Sequence, residues 1–406
     1  MSTIIPITAI SSGLGIFLPL YILYLKGNVF DIGLAFALYN LVSIPSSLFW
    51  GKITDKYGKS KPFIMMSVLL TLPILLLFHF FQGQYNAYLY YSLFAVVATA
   101  ASPALNILVM GTKRSRTLPK YFSRYSIFGL LGSIVAYGFG SALAVNNPSE
   151  YLYLLVYLNI AAIILALLLI KDQPRQQIKE HNDIKVANRL FPLLNTLTAL
   201  PTQMISSNTI IRIRKTILRI EKRRVYQLLG AIILFNLGYY IFNTSYVPYL
   251  NEHGLSYSNI FIINLANAVA QIIVFVAIIR IRKNLKLGKS YMIGIMYRSI
   301  GYIMAASAAF IPMLFFSVNI LAYAISGFSY AVWNLSSSVL LYDLVRGENE
   351  GYYIGLWTSL LGGSAVIGAL LSGVITVNFG YQSTFIIATA VTLCSGLIFH
   401  KKFSTR

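Results

Sequence analysis

Amide, hydroxyl and aromatic side chains recur at helical spacing inside three of the most apolar segments of the chain. They are Tyr91, Ser102 and Asn106 in residues 86–110, Asn236, Tyr240 and Asn243 in residues 226–249, and Asn319, Tyr323, Tyr330 and Trp333 in residues 312–341. The last set is separated by four, seven and three residues, which places it on one face of a helix. Such groups can hold a small neutral or amphipathic solute by hydrogen bonds and ring faces.

The elements that carry these side chains are long apolar runs. The chain has 406 residues, 57% of them hydrophobic and 11% charged, and its mean hydropathy of +0.71 is far from that of a soluble domain. A helix needs about 20 apolar residues to cross a bilayer. Twelve runs are of that order, at residues 4–25, 29–50, 62–82, 86–110, 122–145, 151–170, 226–249, 258–280, 289–310, 312–341, 352–377 and 381–400. We predict an all-α polytopic membrane protein with twelve transmembrane helices.

Within such helices, the polar side chains have two possible roles. A polar group that faces lipid is costly, so each one should face either a cavity or a neighbouring helix. Amides and hydroxyls can also hold two helices together by hydrogen bonds. Both roles stay open for any single residue, whereas the two stripes in residues 226–249 and 312–341 together favour a cavity.

A short basic segment joins the second and third runs and recurs half a chain later. Residues 51–60 read GKITDKYGKS, and residues 281–290 read IRKNLKLGKS. The repeat predicts two parallel halves of six helices each. The ending Gly-Lys-Ser is similar to that of a phosphate-binding loop, but Ile53 stands where that loop needs a glycine. We therefore expect no enzyme.

The polar stretch between the sixth and seventh runs divides the chain. We predict an N-terminal six-helix bundle over residues 1–170, a basic cytoplasmic linker over 171–225, and a C-terminal six-helix bundle with a short basic tail over 226–406. Residues 209–224 alternate isoleucines with Lys and Arg at helical spacing. This pattern suits either an amphipathic helix on an anionic bilayer surface or a solvated linker.

The basic residues indicate an orientation. They cluster after the second, fourth and eighth runs, as Lys52, Lys56, Lys59 and Lys61, as Lys113, Arg114, Arg116 and Lys120, and as Arg280, Arg282, Lys283, Lys286 and Lys289. Cytoplasmic loops are enriched in Lys and Arg, so both termini should be cytoplasmic and the protein multi-pass in the cytoplasmic membrane. The net charge of +21 is spread over these alternate loops, and we expect no nucleic-acid partner.

The basic segment also carries a family resemblance. Its pattern Gly-x-x-x-Asp-Lys-x-Gly-Lys resembles the signature loop of the major facilitator superfamily. That resemblance implies two pseudo-symmetric six-helix bundles with a solute cavity between helices 1, 4, 7 and 10. The antiporter pattern of helix 5 is only partly present, because Gly132, Ala136 and Gly140 fit it while Tyr137 replaces a proline.

The same resemblance implies a gate on the cytoplasmic side. Its residues would be Gly51, Asp55, Lys56, Gly58, Lys59, Lys113 and Arg114. Asp55 would lie at the N-terminus of helix 11, where the helix dipole favours negative charge, and would face Lys113 or Arg114. Gly51 would permit close helix approach and Gly58 a tight turn. These contacts would hold the cytoplasmic side shut and break when it opens.

Ionised side chains are scarce inside the predicted spans. No Asp or Glu lies in the middle of a span, whereas proton-coupled carriers usually keep a buried carboxylate. A coupled proton or other ion therefore stays open. Arg298, deep in the ninth span, could contact an anionic solute or could bond only to neighbouring carbonyls. The four histidines are scattered, so we expect no metal and no cofactor.

Together these features predict a secondary transporter that moves a small organic solute by alternating access. Its partners would be the lipid bilayer and that solute. Multidrug-like efflux is slightly favoured, and a sugar-type importer or facilitator is the alternative. A non-transporting membrane sensor or scaffold, in which the linker binds a partner, is an alternative of another class.

Overall fold

The structure, a computed structural model, describes residues 3–57, 61–110, 118–143, 148–170, 223–281, 286–345 and 350–403. Several predicted features lie outside the described residues: Gly58, Lys59, Lys113, Arg114 and residues 171–222 of the linker. The side chains of Asp55, Lys56, Ser102 and Asn106 also lie outside the described part, although their backbone is helical.

Six helices form the first half of the chain. They are α1 (Ile4–Tyr24), α2 (Val29–Tyr57), α3 (Lys61–Phe80), α4 (Gln84–Met110), α5 (Leu118–Leu143) and α6 (Glu150–Leu169). These helices lie within a few residues of the predicted spans except at the end of α2, which continues beyond residue 50 through most of the basic segment. Hydropathy marks where a helix leaves the apolar region, but a charged residue such as Lys continues the helical backbone about as readily as leucine does.

The second half begins with α7 (Arg223–Glu252), α8 (Tyr257–Ile281) and α9 (Leu287–Ala308). A 3-10 turn at Pro312–Leu314 precedes α10 (Phe315–Val345), and a helical run over Glu350–Phe403 closes the chain. Gly380 breaks this last run, because its φ of 81° and ψ of 172° are non-helical. Since glycine adopts positive φ without a steric penalty, the chain can turn there. We label the two parts α11 (350–379) and α12 (381–403).

The chain reverses direction at Gly380, as the contacts of the two parts with α7 show. As residue numbers rise along α11, the numbers of the α7 residues in contact also rise. As residue numbers rise along α12, the numbers of the α7 residues in contact fall. The pairs are Leu361 with Asn236 and Ser372 with Ser245 for α11, and Phe385 with Tyr249 and Ser395 with Ala231 for α12. With the two parts counted separately, the described helices agree with the twelve predicted spans. By length and composition, nine helical runs in these ranges could cross a membrane, with Leu356–His400 taken as one.

Helix packing repeats between the two halves. In the first half α1 packs on α5 and α6, α2 on α4, and α3 on α4 and α6. In the second half α8 packs on α10, α9 on α10 and α12, and α7 on both α11 and α12. Adding six to each helix number of the first set gives the second set. Between the halves, α2 packs on α11 and α5 packs on α8. The pseudo-symmetry that relates the halves exchanges α2 with α8 and α5 with α11, so these two contacts are equivalent. The fold is therefore two pseudo-symmetric six-helix bundles.

Among the described residues, the two halves come into close contact near one end of the molecule. We call the end that holds residues 51–57 the basic end, and the end where α1 joins α2 and α7 joins α8 the opposite end. Near the opposite end, a Cβ on Gly33 of α2 would lie 2.6 Å from the carbonyl oxygen of Ala369 on α11. The symmetry-related pair is joined by a hydrogen bond of 2.5 Å from the Ser258 hydroxyl on α8 to the Ser141 carbonyl on α5. Since only a glycine permits the first approach, the sequence itself allows this end to close.

Candidate functional site

A cavity of about 240 Å³ lies between the two halves, next to the closed opposite end. It is lined by α1, α2, α4 and α5 of the first half and by α7, α8 and α10 of the second. Its polar lining consists of Ser12, Asn40, Asn243, Asn264, Asn267 and Gln271. Its aromatic lining consists of Phe36, Tyr39, Tyr91, Tyr137, Tyr239, Tyr240 and Tyr323. The cavity thus combines ring faces with amides and hydroxyls.

Hydrogen bonds fix the polar wall that the second half contributes. The Tyr323 hydroxyl donates to Oδ1 of Asn243 at 2.8 Å, which joins α10 to α7. Asn267 Nδ2 donates to the Tyr323 carbonyl at 2.8 Å, and Gln271 Nε2 donates to Oδ1 of Asn267 at 2.7 Å. These bonds hold side chains from three helices in one arrangement before any solute arrives. Such preorganisation lowers the entropy lost on binding.

Part of the amide hydrogen-bonding capacity at the cavity is unused by the described residues. Asn243 uses its Oδ1, which leaves its Nδ2 available. Asn264 and Asn40 donate through Nδ2 to the carbonyls of Ile260 and Phe36, which leaves their Oδ1 atoms available. A solute with both donors and acceptors could therefore be bound from three sides.

Aromatic rings from both halves supply the apolar contacts. In the first half Tyr39 stacks on Tyr91 with ring centres 4.5 Å apart. In the second half Tyr239 and Tyr240 meet edge to face with ring centres 5.1 Å apart. Such rings provide rigid contact area, and each tyrosine also offers a hydroxyl at its polar end.

A buried cation lies directly behind this lining, although the described lining itself has no ionised side chain. Arg298 on α9 is 1% exposed. Its Nε donates to the Tyr302 hydroxyl at 2.8 Å and its Nη1 to the Ser326 carbonyl at 2.7 Å. Its guanidinium carbon also lies 4.8 Å from the ring centre of Tyr239, which lines the cavity.

A family model agrees with this architecture. The model described as "Major Facilitator Superfamily" matches residues 2–341 of the chain. The chain belongs to the major facilitator superfamily. It is therefore a multi-pass membrane protein of a transporter family, its fold is the one that the signature segment predicted, and a transport role rather than an enzymatic one follows from the family.

Solved structures of superfamily transporters share the fold over nearly the whole chain. The crystal structure of the nucleoside transporter NupG is 13% identical with a TM-score of 0.71, and the match covers 98% of this chain and 96% of NupG. A POT family transporter in complex with 5-aminolevulinic acid is 14% identical with a TM-score of 0.73, covering 100% of this chain and 95% of that one. A substituted form of the peptide transporter POT is 14% identical with a TM-score of 0.74, covering 98% and 92%.

Within this superfamily fold, four of the residues predicted for the cavity lie in its wall. They are Tyr91, Tyr240, Asn243 and Tyr323. Four others lie in contacts between or within helices. Asn236 donates to the Leu361 carbonyl and Ser364, Asn319 donates to the Phe315 carbonyl and accepts from Tyr246, Trp333 stacks on Phe235, and Tyr330 lies near Arg298 and Tyr239. Both roles left open for such side chains therefore occur among them.

Helices α2, α5 and α8 contribute to the cavity in addition to the four helices expected from the superfamily. The lining residues that the sequence analysis did not propose include Phe36, Tyr39 and Asn40 on α2 and Tyr137 on α5. The sequence could have indicated the α2 residues, because positions 36, 39 and 40 have the spacing i, i+3, i+4 that places side chains on one face of a helix. Tyr137 stood out only as a departure from the antiporter pattern.

Proposed function

We propose that this superfamily member is a secondary transporter that carries a small organic solute across the cytoplasmic membrane by alternating access. The observation that carries the proposal is a cavity between two symmetric halves, lined from both and closed next to one end by α2 on α11 and α5 on α8. Because the closing pairs are exchanged by the pseudo-symmetry, rocking of the halves would open this end and close the other.

The solute that fits this cavity best is small and amphipathic. A volume of about 240 Å³ is below the range of about 300–1,000 Å³ that is typical of sites for drug-sized ligands. Tyrosine rings would contact an apolar body, and the amides of Asn40, Asn243 and Asn264 would bond its polar groups. Export of such a compound is the direction we propose. Import of a sugar or nucleoside is the second candidate, favoured by the number of free amide groups.

We further propose that the basic end is cytoplasmic, with both termini on that side. Lys52, Lys286 and Lys289 are exposed there, as the positive-inside rule requires of cytoplasmic loops. In this orientation the closed opposite end faces outwards, and the conformation described here is inward-facing.

The function is tested by binding followed by exchange. Purified protein is screened by thermal shift with sugars, nucleosides, organic acids, amines and lipophilic drugs, since a ligand of the folded state raises the melting temperature. Each stabilising compound is then tested for counterflow in proteoliposomes, with and without a pH gradient to detect proton coupling. Counterflow of at least one compound is the expected result. Stabilisation without any exchange would instead favour the sensor or scaffold class.

We propose that the signature segment closes the basic end in the outward-facing state. A Cβ on Gly51 would meet no atom of the described residues within 4 Å, which is consistent with an open gate at this end. Replacement Asp55→Asn should weaken the closed gate and favour the inward-facing state. Membrane-impermeant thiol labelling of Val247→Cys from outside should then slow by about fivefold or more. Asp343→Asn, an exposed acid at the same end, serves as the control. Equal labelling rates in the two variants would contradict this role of Asp55.

A further inference from the structure

Arg298 is a buried cation with no acidic partner in the described ranges. Its side chain is 1% exposed, and no Asp or Glu of the described residues forms an ion pair with it. A guanidinium taken out of water without a counter-ion is costly, and such a charge usually acquires a partner. Other groups must therefore compensate it while the cavity is empty.

A cage of tyrosines provides part of that compensation. The guanidinium carbon lies 4.8 Å from the ring centre of Tyr239, 5.1 Å from that of Tyr302 and 5.9 Å from that of Tyr330. Cation–π attraction to three rings and two hydrogen bonds stabilise the charge, but they do not neutralise it. The positive field of Arg298 therefore extends beyond the cage.

The cage shares one wall with the cavity. Tyr239 belongs to both, because it contacts Arg298 and also lines the cavity next to Tyr240 and Asn243. One aromatic ring thus separates the cation from the bound solute. Since the described cavity lining has no ionised side chain, no other lining charge there screens this field. In a low-dielectric site such a field is much stronger than in water.

We propose that Arg298 makes the cavity selective for small organic anions, above all carboxylates with an aromatic or aliphatic body. The carboxylate lies on the Tyr239 side of the cavity and accepts a hydrogen bond from Nδ2 of Asn243, while the rings of Tyr39 and Tyr91 contact the body. Arg298 acts through Tyr239 as a positioning residue and does not touch the solute. This inference rests on the proposed function in taking this cavity as the solute site.

Three compounds with one body and different charge test the proposal. Indole-3-acetate, indole-3-acetamide and tryptamine carry a negative, a neutral and a positive group at neutral pH. Their binding to the purified full-length protein is measured by thermal shift and by isothermal titration. We expect the acetate to bind about tenfold or more tightly than the amide. This is the size of the attraction between a carboxylate and a guanidinium on opposite sides of one ring at an effective dielectric constant of about 20. Tryptamine should bind most weakly.

Variants of Arg298 separate charge selection from a structural role. Arg298→Gln should bring the acetate and the amide to equal affinity while the amide binds as before, and Arg298→Lys should restore the preference in part. Equal weakening of all three compounds in Arg298→Gln would assign a structural role and overturn the proposal. If Arg298→Gln does not fold, the wild-type order of the three compounds decides. No preference for the acetate, or no binding of any of the three, also overturns it.

Failure of this inference and failure of the proposed function give different results. Counterflow of neutral compounds without preference for anions leaves transport standing and removes the role of Arg298. Tight, charge-selective binding without counterflow leaves the anion site standing and removes transport.

Discussion

Replacement Gly33→Leu should favour the state in which the opposite end is open and strongly slow transport. A Cβ at this position would lie 2.6 Å from the Ala369 carbonyl oxygen, and backbone atoms cannot move aside as a flexible side chain can. Overpacking of this kind costs about 1–3 kcal/mol, which shifts a two-state ratio by about 5–150-fold. Because alternating access needs both states, solute exchange should fall by a similar factor. The labelling rate of Val247→Cys from the opposite side should rise.

The control for Gly33→Leu lies on the helix that Gly33 contacts. A Cβ on Gly363 of α11 would meet no atom of the described residues within 4 Å, so Gly363→Leu should change neither labelling nor exchange. Both variants are made with Cys394, the one cysteine of the chain, replaced by serine, so that Val247→Cys carries the single thiol. Unchanged labelling in Gly33→Leu would show that contact between α2 and α11 does not close this end.

Two asparagines on α7 should respond in opposite ways to replacement by alanine. Asn243 lines the cavity and Asn236 bonds to α11, with Nδ2 at 3.0 Å from the Leu361 carbonyl and 2.8 Å from the Ser364 hydroxyl. Asn243→Ala should weaken solute binding by about 5–150-fold, the effect of about 1–3 kcal/mol for a lost hydrogen bond to a buried partner. Its melting temperature in detergent should fall less than that of Asn236→Ala, because Asn243 loses one hydrogen bond, from Tyr323, whereas Asn236 loses two to α11.

Asn236→Ala should lower the melting temperature more, because the Leu361 carbonyl and the Ser364 hydroxyl both lose a donor and a gap opens between α7 and α11. Solute affinity per folded molecule should stay close to that of the wild type. Thermal unfolding and counterflow on the same preparations give both quantities for each variant. A pair of variants that lose affinity equally would contradict the assignment of Asn243 to the cavity and Asn236 to helix packing.

The helices and the family could be predicted from the sequence because both signals are local. Each span is a continuous apolar run, and the basic segment repeats without a gap, so neither depends on which helices meet. The end of α2 was predicted too early for the same reason, since hydropathy reports the apolar region and not the end of the helical backbone. The turn at Gly380 lay in the gap between the last two runs.

The cavity could be predicted only in part. Tyr240 and Asn243 share a stripe on α7 with Asn236. The pattern favoured a cavity for the whole stripe, whereas Asn236 bonds to α11 and only Tyr240 and Asn243 of the three line the cavity. The α2 residues Phe36 and Tyr39 lie outside the prediction, because the superfamily resemblance implied a cavity between helices 1, 4, 7 and 10.

The sequence alone determined the twelve apolar spans, the internal repeat, the superfamily and the scarcity of charge within the spans. Tertiary structure decided which polar side chains face the cavity. Asn236 and Asn243 lie two turns apart on one face of α7, yet α11 covers the first while the second borders the cavity. Tertiary structure also placed Arg298 one ring away from the cavity. Helical periodicity in the sequence shows only which side of its own helix a residue lies on. The distance from that residue to the next helix depends on the angles at which the helices cross, which the sequence pattern does not give.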